Sequence, residues 1–116
     1  MNPYIIPGLK FRKQTKFRQN GNITPEMCMQ VVASYYEYPM DVFYKSYSRG
    51  SVNDSYVRNV LMYVMYNKTR LSLKEIGRYL GGFDHSSIIN AKQRIRKMMN
   101  KDDNTYTQVI TILNKL

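Results

Sequence analysis

The sequence predicts an all-α fold, a compact bundle of about six helices that contains a helix-turn-helix. Apolar residues recur every three or four positions in several segments, which is the spacing of a helix with one buried face. Helix-capping signals, such as Thr24-Pro25 and Ser72-Leu73-Lys74-Glu75, precede two of these segments. A chain of 116 residues suits one domain with one modest core.

Six helices are predicted in order from the apolar spacing and the helix breakers. They run from Thr24-Pro25 to Pro39, over Asp41–Tyr47, from Asp54 or Ser55 to about Asn67, from Ser72 to Gly81-Gly82, from Asp84 or His85 onward, and from Asn104 or Thr105 onward. The residues expected to face inward are Met27, Val31, Val32, Tyr35, Val42, Phe43, Tyr47, Val57, Val60, Leu61, Val64, Met65, Leu73, Ile76, Leu80, Ile88, Ala91, Ile95, Tyr106, Val109, Ile112 and Leu113.

The charge balance points to a polyanionic partner. The formal net charge is +10, which favours contacts with phosphates and the release of counterions. An anionic membrane surface is the main alternative partner. The simplest alternative is that the protein has a basic surface with no specific polyanionic partner. No apolar run reaches the length of about 20 residues that spans a bilayer, so we expect nucleic acid and no membrane.

Residues 1–23 differ from the rest of the chain. They contain several helix breakers and no acidic residue, and their basic residues are Lys10, Arg12, Lys13, Lys16 and Arg18. We interpret them as a basic N-terminal arm ahead of a helical DNA-binding domain over residues 24–116. The arm is a candidate for binding DNA phosphates or a protein partner.

Two short predicted helices joined by Gly81-Gly82 form the helix-turn-helix pattern. In that motif the start of the second helix touches base edges in the major groove. Here the start consists of Asp84, His85, Ser86 and Ser87, all polar and all ahead of the first inward residue. Helix capping by Asp84 and Ser86 is the alternative interpretation. Basic residues suited to flanking phosphates follow: Lys92, Arg94, Arg96, Lys97 and Lys101.

The stretch Ser72–Ile88 reads Ser-Leu-Lys-Glu-Ile-Gly-Arg-Tyr-Leu-Gly-Gly-Phe-Asp-His-Ser-Ser-Ile. It resembles the signature of the C-terminal DNA-binding domain of the bacterial replication initiator DnaA. That pattern runs Ser-Leu, Glu-Ile-Gly, Phe-Gly-Gly-Arg-Asp-His, two hydroxyl residues and Val. The resemblance extends over residues 24–100. It departs at Phe83, where the family has Arg, and at Asn90, where the family usually has His.

The resemblance implies recognition of a short asymmetric duplex site. It implies base contacts from Asp84, His85, Ser86 and Ser87 in the major groove. Residues expected at the DNA backbone or in the minor groove are Arg49, Arg58, Lys74, Lys92, Arg94 and Lys97. Among these, the resemblance places Arg58 and Lys92 at phosphates and Arg49 in the minor groove.

Catalysis is not expected from this sequence. The phosphate-loop pattern Gly-x-x-x-x-Gly-Lys-Ser/Thr is absent, so we expect a stand-alone reader of DNA without ATPase activity. One His and one Cys make no zinc site, and neither a metal nor a cofactor is expected. Cys28 should pack in the core, as should the four methionines at 62, 65, 98 and 99. Packing is also favoured over base stacking for the tyrosines at 35, 36 and 38.

The leading hypothesis is therefore a sequence-specific double-stranded DNA-binding protein in replication or transcription control. One alternative is an interaction protein that copies the initiator's DNA-reading domain, and another is a non-specific, charge-driven binder. The expected location is the cytoplasm of a bacterium or a phage-infected cell, at the nucleoid. A monomer is favoured.

Overall fold

The computed structural model describes residues 23–44 and 52–116. Arg49 and nearly all of the predicted arm lie outside these residues. Within them the chain forms five α-helices, one 3-10 helix and no strand, so the all-α prediction is confirmed. The elements are α1 Pro25–Tyr36, the 3-10 helix Met40–Phe43, α2 Val52–Lys68, α3 Leu73–Tyr79, α4 His85–Lys101 and α5 Asp103–Asn114.

The predicted second helix is the 3-10 helix. It spans Met40–Phe43, and residues 45–47 of the predicted helix lie outside the described part of the chain. A single turn suffices to bury Val42 and Phe43, which are both 0% exposed. Such a short segment gains too few hydrogen bonds to propagate as an α-helix. The described bundle therefore has five α-helices where about six helices were expected.

Helix α2 is the centre of the bundle and packs against every other described helix. Its five predicted inward residues, Val57, Val60, Leu61, Val64 and Met65, are at most 2% exposed. It begins at Val52, two residues earlier than the predicted Asp54. Asp54 looks like a cap in sequence but occupies the first turn, where the helix dipole stabilises a carboxylate.

Helix α1 turns a slightly different face to the core than predicted. Its N-cap is as expected, with the Thr24 hydroxyl accepting from Met27 N at 3.2 Å. Met27 is 39% exposed, however, whereas Cys28 is buried as predicted and Met29 is buried as well. Thr24 and Glu26 are exposed as well, so the start of the helix lies at the surface. Among the methionines assigned to the core, Met98 is likewise exposed.

Helix α5 differs from the prediction in its start and in its first inward residue, whereas Val109 and Ile112 are buried as predicted. Tyr106 was expected inside but is 41% exposed, whereas Thr105 is 3% exposed. The reason is the cap. Asp102 is the N-cap residue, and its carboxylate accepts from Asn104 N at 3.2 Å and from the Thr105 hydroxyl at 2.9 Å. The helix therefore starts earlier than Asn104, and Thr105, Val109 and Ile112 form its buried face.

Candidate nucleic-acid interface

Helix α3 starts with the capping box that the sequence predicted. Glu75 N donates to the Ser72 hydroxyl at 3.1 Å, and Ser72 N donates to Glu75 Oε1 at 2.8 Å. These reciprocal bonds fix the first turn of the helix. Lys74 lies in that turn and Arg78 one turn later, and both side chains are exposed. Arg78 was missed by the sequence reasoning, although its four-residue spacing from Lys74 marks the same side of the helix.

The turn after α3 depends on three glycines. Gly81 and Gly82 have φ angles of 99° and 108°, a conformation that costs other residues energy. Gly82 N and Phe83 N both donate to Gly77 O, at 2.9 and 3.0 Å. The turn folds back so tightly that a Cβ on Gly77 would overlap Phe83 O. The need for Gly77 was missed, and its signal was a glycine inside a seven-residue helix.

Helix α4 starts on the four polar residues singled out from the sequence. Asp84 is the N-cap residue; its backbone carbonyl accepts from Ser87 N at 2.9 Å, but its side chain makes no capping bond. His85 and Ser86 are exposed and Ser87 is half-exposed. The first fully buried side chain is Ile88, as predicted. The fold thus brings the four polar residues together on one exposed helical turn and leaves the Asp84 carboxylate free of the capping role.

Two further side chains share the outer face of α4. Asn90 and Gln93 follow Ser86 by four and seven residues, are exposed, and lie opposite the buried Ile88 and Ile95. Carboxamides of this kind pair well with adenine edges. Asn90 was noted only as a departure from the DnaA pattern and Gln93 was not singled out. The helical spacing from Ser86 was the signal that could have found both.

The basic residues expected at phosphates fall into two groups. Lys74, Arg94 and Lys97 are exposed, in keeping with contacts to a partner. Arg58 and Lys92 are half-buried and already have protein contacts. Arg58 Nε donates to Val42 O at 3.0 Å, with its guanidinium carbon 5.9 Å from the centre of the Phe83 ring. Lys92 Nζ lies 3.9 Å from the centre of the Tyr66 ring.

The family follows from a comparison of the whole sequence with known families. The sequence model of the family described as "Bacterial dnaA protein helix-turn-helix" matches residues 25–95. The chain belongs to this family. The matched residues run from the start of α1 into α4 and include α3, the glycine turn and the first eleven residues of α4. The chain is thus a DnaA-type helix-turn-helix domain. This family is one of DNA-binding domains and not of enzymatic domains.

A full-length relative gives the same result. The chain is 32% identical over 94 residues to the chromosomal replication initiator protein DnaA of Corynebacterium aurimucosum. The alignment covers 81% of this chain and 17% of that initiator. The chain therefore spans less than a fifth of the length of this relative.

A side-chain hydrogen bond joins the first helix of the DnaA-type domain to the helix-turn-helix. The Tyr79 hydroxyl of α3 donates to Glu26 Oε2 of α1 at 2.6 Å. This bond lowers the pKa of Glu26. Burial, followed by the bond to Glu26, raises the pKa of Tyr79 to about 12. The contact ties α3 to the start of α1 and so helps to fix the position of the helix-turn-helix in the bundle.

The described residues of the DnaA-type domain contain no group of three or more His, Cys, Asp or Glu side chains that could hold a metal ion. Among the same residues, no helix is long and apolar enough to cross a membrane. Cys28 is buried, and burial raises the pKa of its thiol to about 12.

Proposed function

We propose that this protein recognises a specific sequence in double-stranded DNA and acts in replication or transcription control without ATPase activity. The observation that supports this most strongly is the exposed first turn of α4. Asp84, His85, Ser86 and Ser87 all lie there, on a helix whose entry is fixed by the glycine turn. In the helix-turn-helix motif this is the part that meets base edges.

Together these side chains can pair with several kinds of base edge. The Asp84 carboxylate can accept from the N4 amino group of cytosine or the N6 amino group of adenine. The hydroxyls of Ser86 and Ser87 can donate or accept, and the His85 ring can bond an acceptor or pack on a thymine methyl. Further along the same face, Asn90 and Gln93 offer carboxamides to adenine. Such a set discriminates between base pairs in the major groove.

The surrounding cations would hold the DNA backbone. Lys74 and Arg78 lie on the exposed side of α3, the helix that crosses the backbone in this motif. Arg94 and Lys97 are exposed on α4 beyond the first two turns. We assign these four side chains, together with Arg58 and Lys92, to phosphates and Arg49 to the minor groove. The basic arm over residues 1–23 would add affinity without sequence preference, because phosphates carry no sequence information.

The family supports a further proposal about the biological setting. We propose a monomer that works on duplex DNA in the cytoplasm of a bacterium or a phage-infected cell, at the nucleoid. The sequence has no phosphate-loop pattern, and the family is a DNA-binding domain. We therefore expect no ATP turnover from the purified protein. Turnover that persists through purification and depends on this chain would contradict that part of the proposal.

Selection from a pool of random duplexes at physiological salt tests the function directly. We expect enrichment of one short asymmetric motif. The matched control is the double variant His85→Ala/Ser86→Ala, which keeps the charge of the basic surface and should bind DNA without enriching that motif. A second candidate, non-specific binding, is favoured by the net charge of +10. Retained binding by the wild type with no enriched motif would support that candidate and overturn the proposal.

A further inference from the structure

Two cations expected at DNA phosphates lie on aromatic rings where α2 meets the helix-turn-helix. Lys92 Nζ lies 3.9 Å from the centre of the Tyr66 ring. The guanidinium carbon of Arg58 lies 5.9 Å from the centre of the Phe83 ring. Arg58 and Tyr66 are both in α2, two turns apart, which separates them by about 12 Å along the helix axis. The two contacts therefore sit at separate points along α2.

Helix α2 supplies the ring of one pair and the cation of the other. Tyr66 of α2 supports a cation of α4, whereas Phe83 of the turn supports a cation of α2. Each pair therefore joins α2 to a different part of the helix-turn-helix, one to the turn and one to the middle of α4. Phe83 is also the position at which the chain departs from the DnaA pattern by replacing an arginine. The ring does not replace the charge of that arginine, but it lies beside the charge of Arg58.

A ring face attracts a cation without using its hydrogen-bond donors. Lys92 can therefore keep its three N–H groups for phosphate oxygens while it rests on Tyr66. Arg58 uses Nε for Val42 O, and its two terminal amino groups have no partner among the described residues. A long cation fixed in this way has lost much of its conformational freedom before DNA arrives, so it loses less on binding.

We infer that Tyr66 and Phe83 are positioning residues, which hold Lys92 and Arg58 ready for the DNA backbone. This role rests on the proposed DNA-binding function and adds to it two residues that need not touch DNA. It assigns a function to the aromatic ring at position 83, where the DnaA pattern has a cation.

The test measures affinity for a mixed-sequence duplex of fixed length over a range of salt concentrations. Tyr66→Leu and Phe83→Leu remove the rings, and Tyr66→Phe and Phe83→Tyr are the controls that keep them. Lys92→Met removes one cation. We expect each leucine variant to weaken binding about two- to fivefold with an unchanged salt slope, because no charge is lost. Lys92→Met should reduce the slope by about one, and the ring-keeping controls should bind like the wild type.

A double variant separates positioning from direct contact. Tyr66→Leu should have little further effect in the Lys92→Met background, because the ring acts through the lysine. An equal loss in both backgrounds, or leucine variants that bind as tightly as the wild type, would overturn the inference. Circular dichroism shows whether each variant is folded. If Tyr66→Leu does not fold, Phe83→Leu still tests the inference independently. Wild-type protein that binds no duplex would overturn the proposed function and this role together.

Discussion

At the scale of single residues, Asp84 occupies a capping position without using its side chain as a cap, which leaves the carboxylate available for the proposed contact with a base. It stands at the N-cap position of α4, yet its carboxylate makes no capping bond and its backbone carbonyl alone closes the first turn. Ser72 stands at the same position of α3 and does cap with its side chain. The two residues thus occupy equivalent places in neighbouring helices and differ in what their side chains do.

This difference predicts different main effects for two alanine variants, on stability for Ser72→Ala and on DNA affinity for Asp84→Ala. Ser72→Ala should lower the free energy of unfolding by about 1 kcal/mol, because it removes the hydroxyl that accepts from Glu75 N, although the backbone N–H of residue 72 can still donate to Glu75 Oε1. Asp84→Ala should cost only the weaker interaction with the helix dipole, about 0.3–1 kcal/mol, while reducing affinity for the selected duplex by about 1–3 kcal/mol. Urea unfolding and duplex titration measure the two quantities. A larger stability loss for Asp84→Ala than for Ser72→Ala would show that capping is its main role.

At the scale of elements, the turn between α3 and α4 sets where the recognition residues lie. Gly77 accepts two backbone bonds from the turn and leaves no room for a Cβ beside Phe83 O. Gly82, by contrast, has a positive φ angle, and no atom outside its chain neighbours lies within 4 Å of where its Cβ would be. The two glycines are therefore required for different reasons, close packing at one and backbone conformation at the other.

Alanine substitution should distinguish these reasons. Gly82→Ala should cost about 1 kcal/mol of stability through backbone strain alone and leave the fold intact. Gly77→Ala should cost more, because the overlap with backbone atoms can be relieved only by moving the turn. It should also weaken duplex binding, since the start of α4 would shift. Thermal unfolding and duplex titration of both variants provide the comparison. Equal stability losses would show that the turn moves without strain.

Helices α4 and α5 show which structural features could be predicted from the sequence and which could not. The polar start and buried face of α4 were predictable, because four short polar residues precede Ile88 and the apolar spacing continues through Ile95. The start of α5 was not, because Asp102, Asn104 and Thr105 are all good caps and only packing decides among them. The rings beside Arg58 and Lys92 could not be predicted either, because those contacts join residues that are distant in sequence and depend on how the helices pack.

At the scale of the whole molecule, the bond between Tyr79 and Glu26 joins α3 to α1 and should make stability depend on pH. Because the bond lowers the pKa of Glu26 in the folded state, its contribution is present above the ordinary value of 4.5 and is lost as pH falls through the lowered pKa. Burial, followed by this bond, raises the pKa of Tyr79 to about 12. The stability that this shift contributes is present below the ordinary value of 10 and is lost as pH rises towards 12.

Tyr79→Phe should therefore be less stable than the wild type at neutral pH and should approach it in acid. Urea unfolding of both proteins across the acid range measures the difference, and Glu26→Gln is the control that leaves no ionisable group at that position. A stability difference that stays constant as Glu26 becomes protonated would show that the hydroxyl stabilises the protein by other means.

The central claim is that α4 reads sequence while the surrounding cations bind DNA of any sequence. His85 and Lys97 are both exposed on this helix, and we propose that they belong to these two different groups. The most direct test compares His85→Ala with Lys97→Ala on the selected duplex and on random duplex at one salt concentration. We expect His85→Ala to lose about 1–3 kcal/mol on the selected duplex and much less on random DNA, and Lys97→Ala to lose the same amount on both. If both variants weaken the two duplexes in equal proportion, α4 does not read sequence and the claim is wrong.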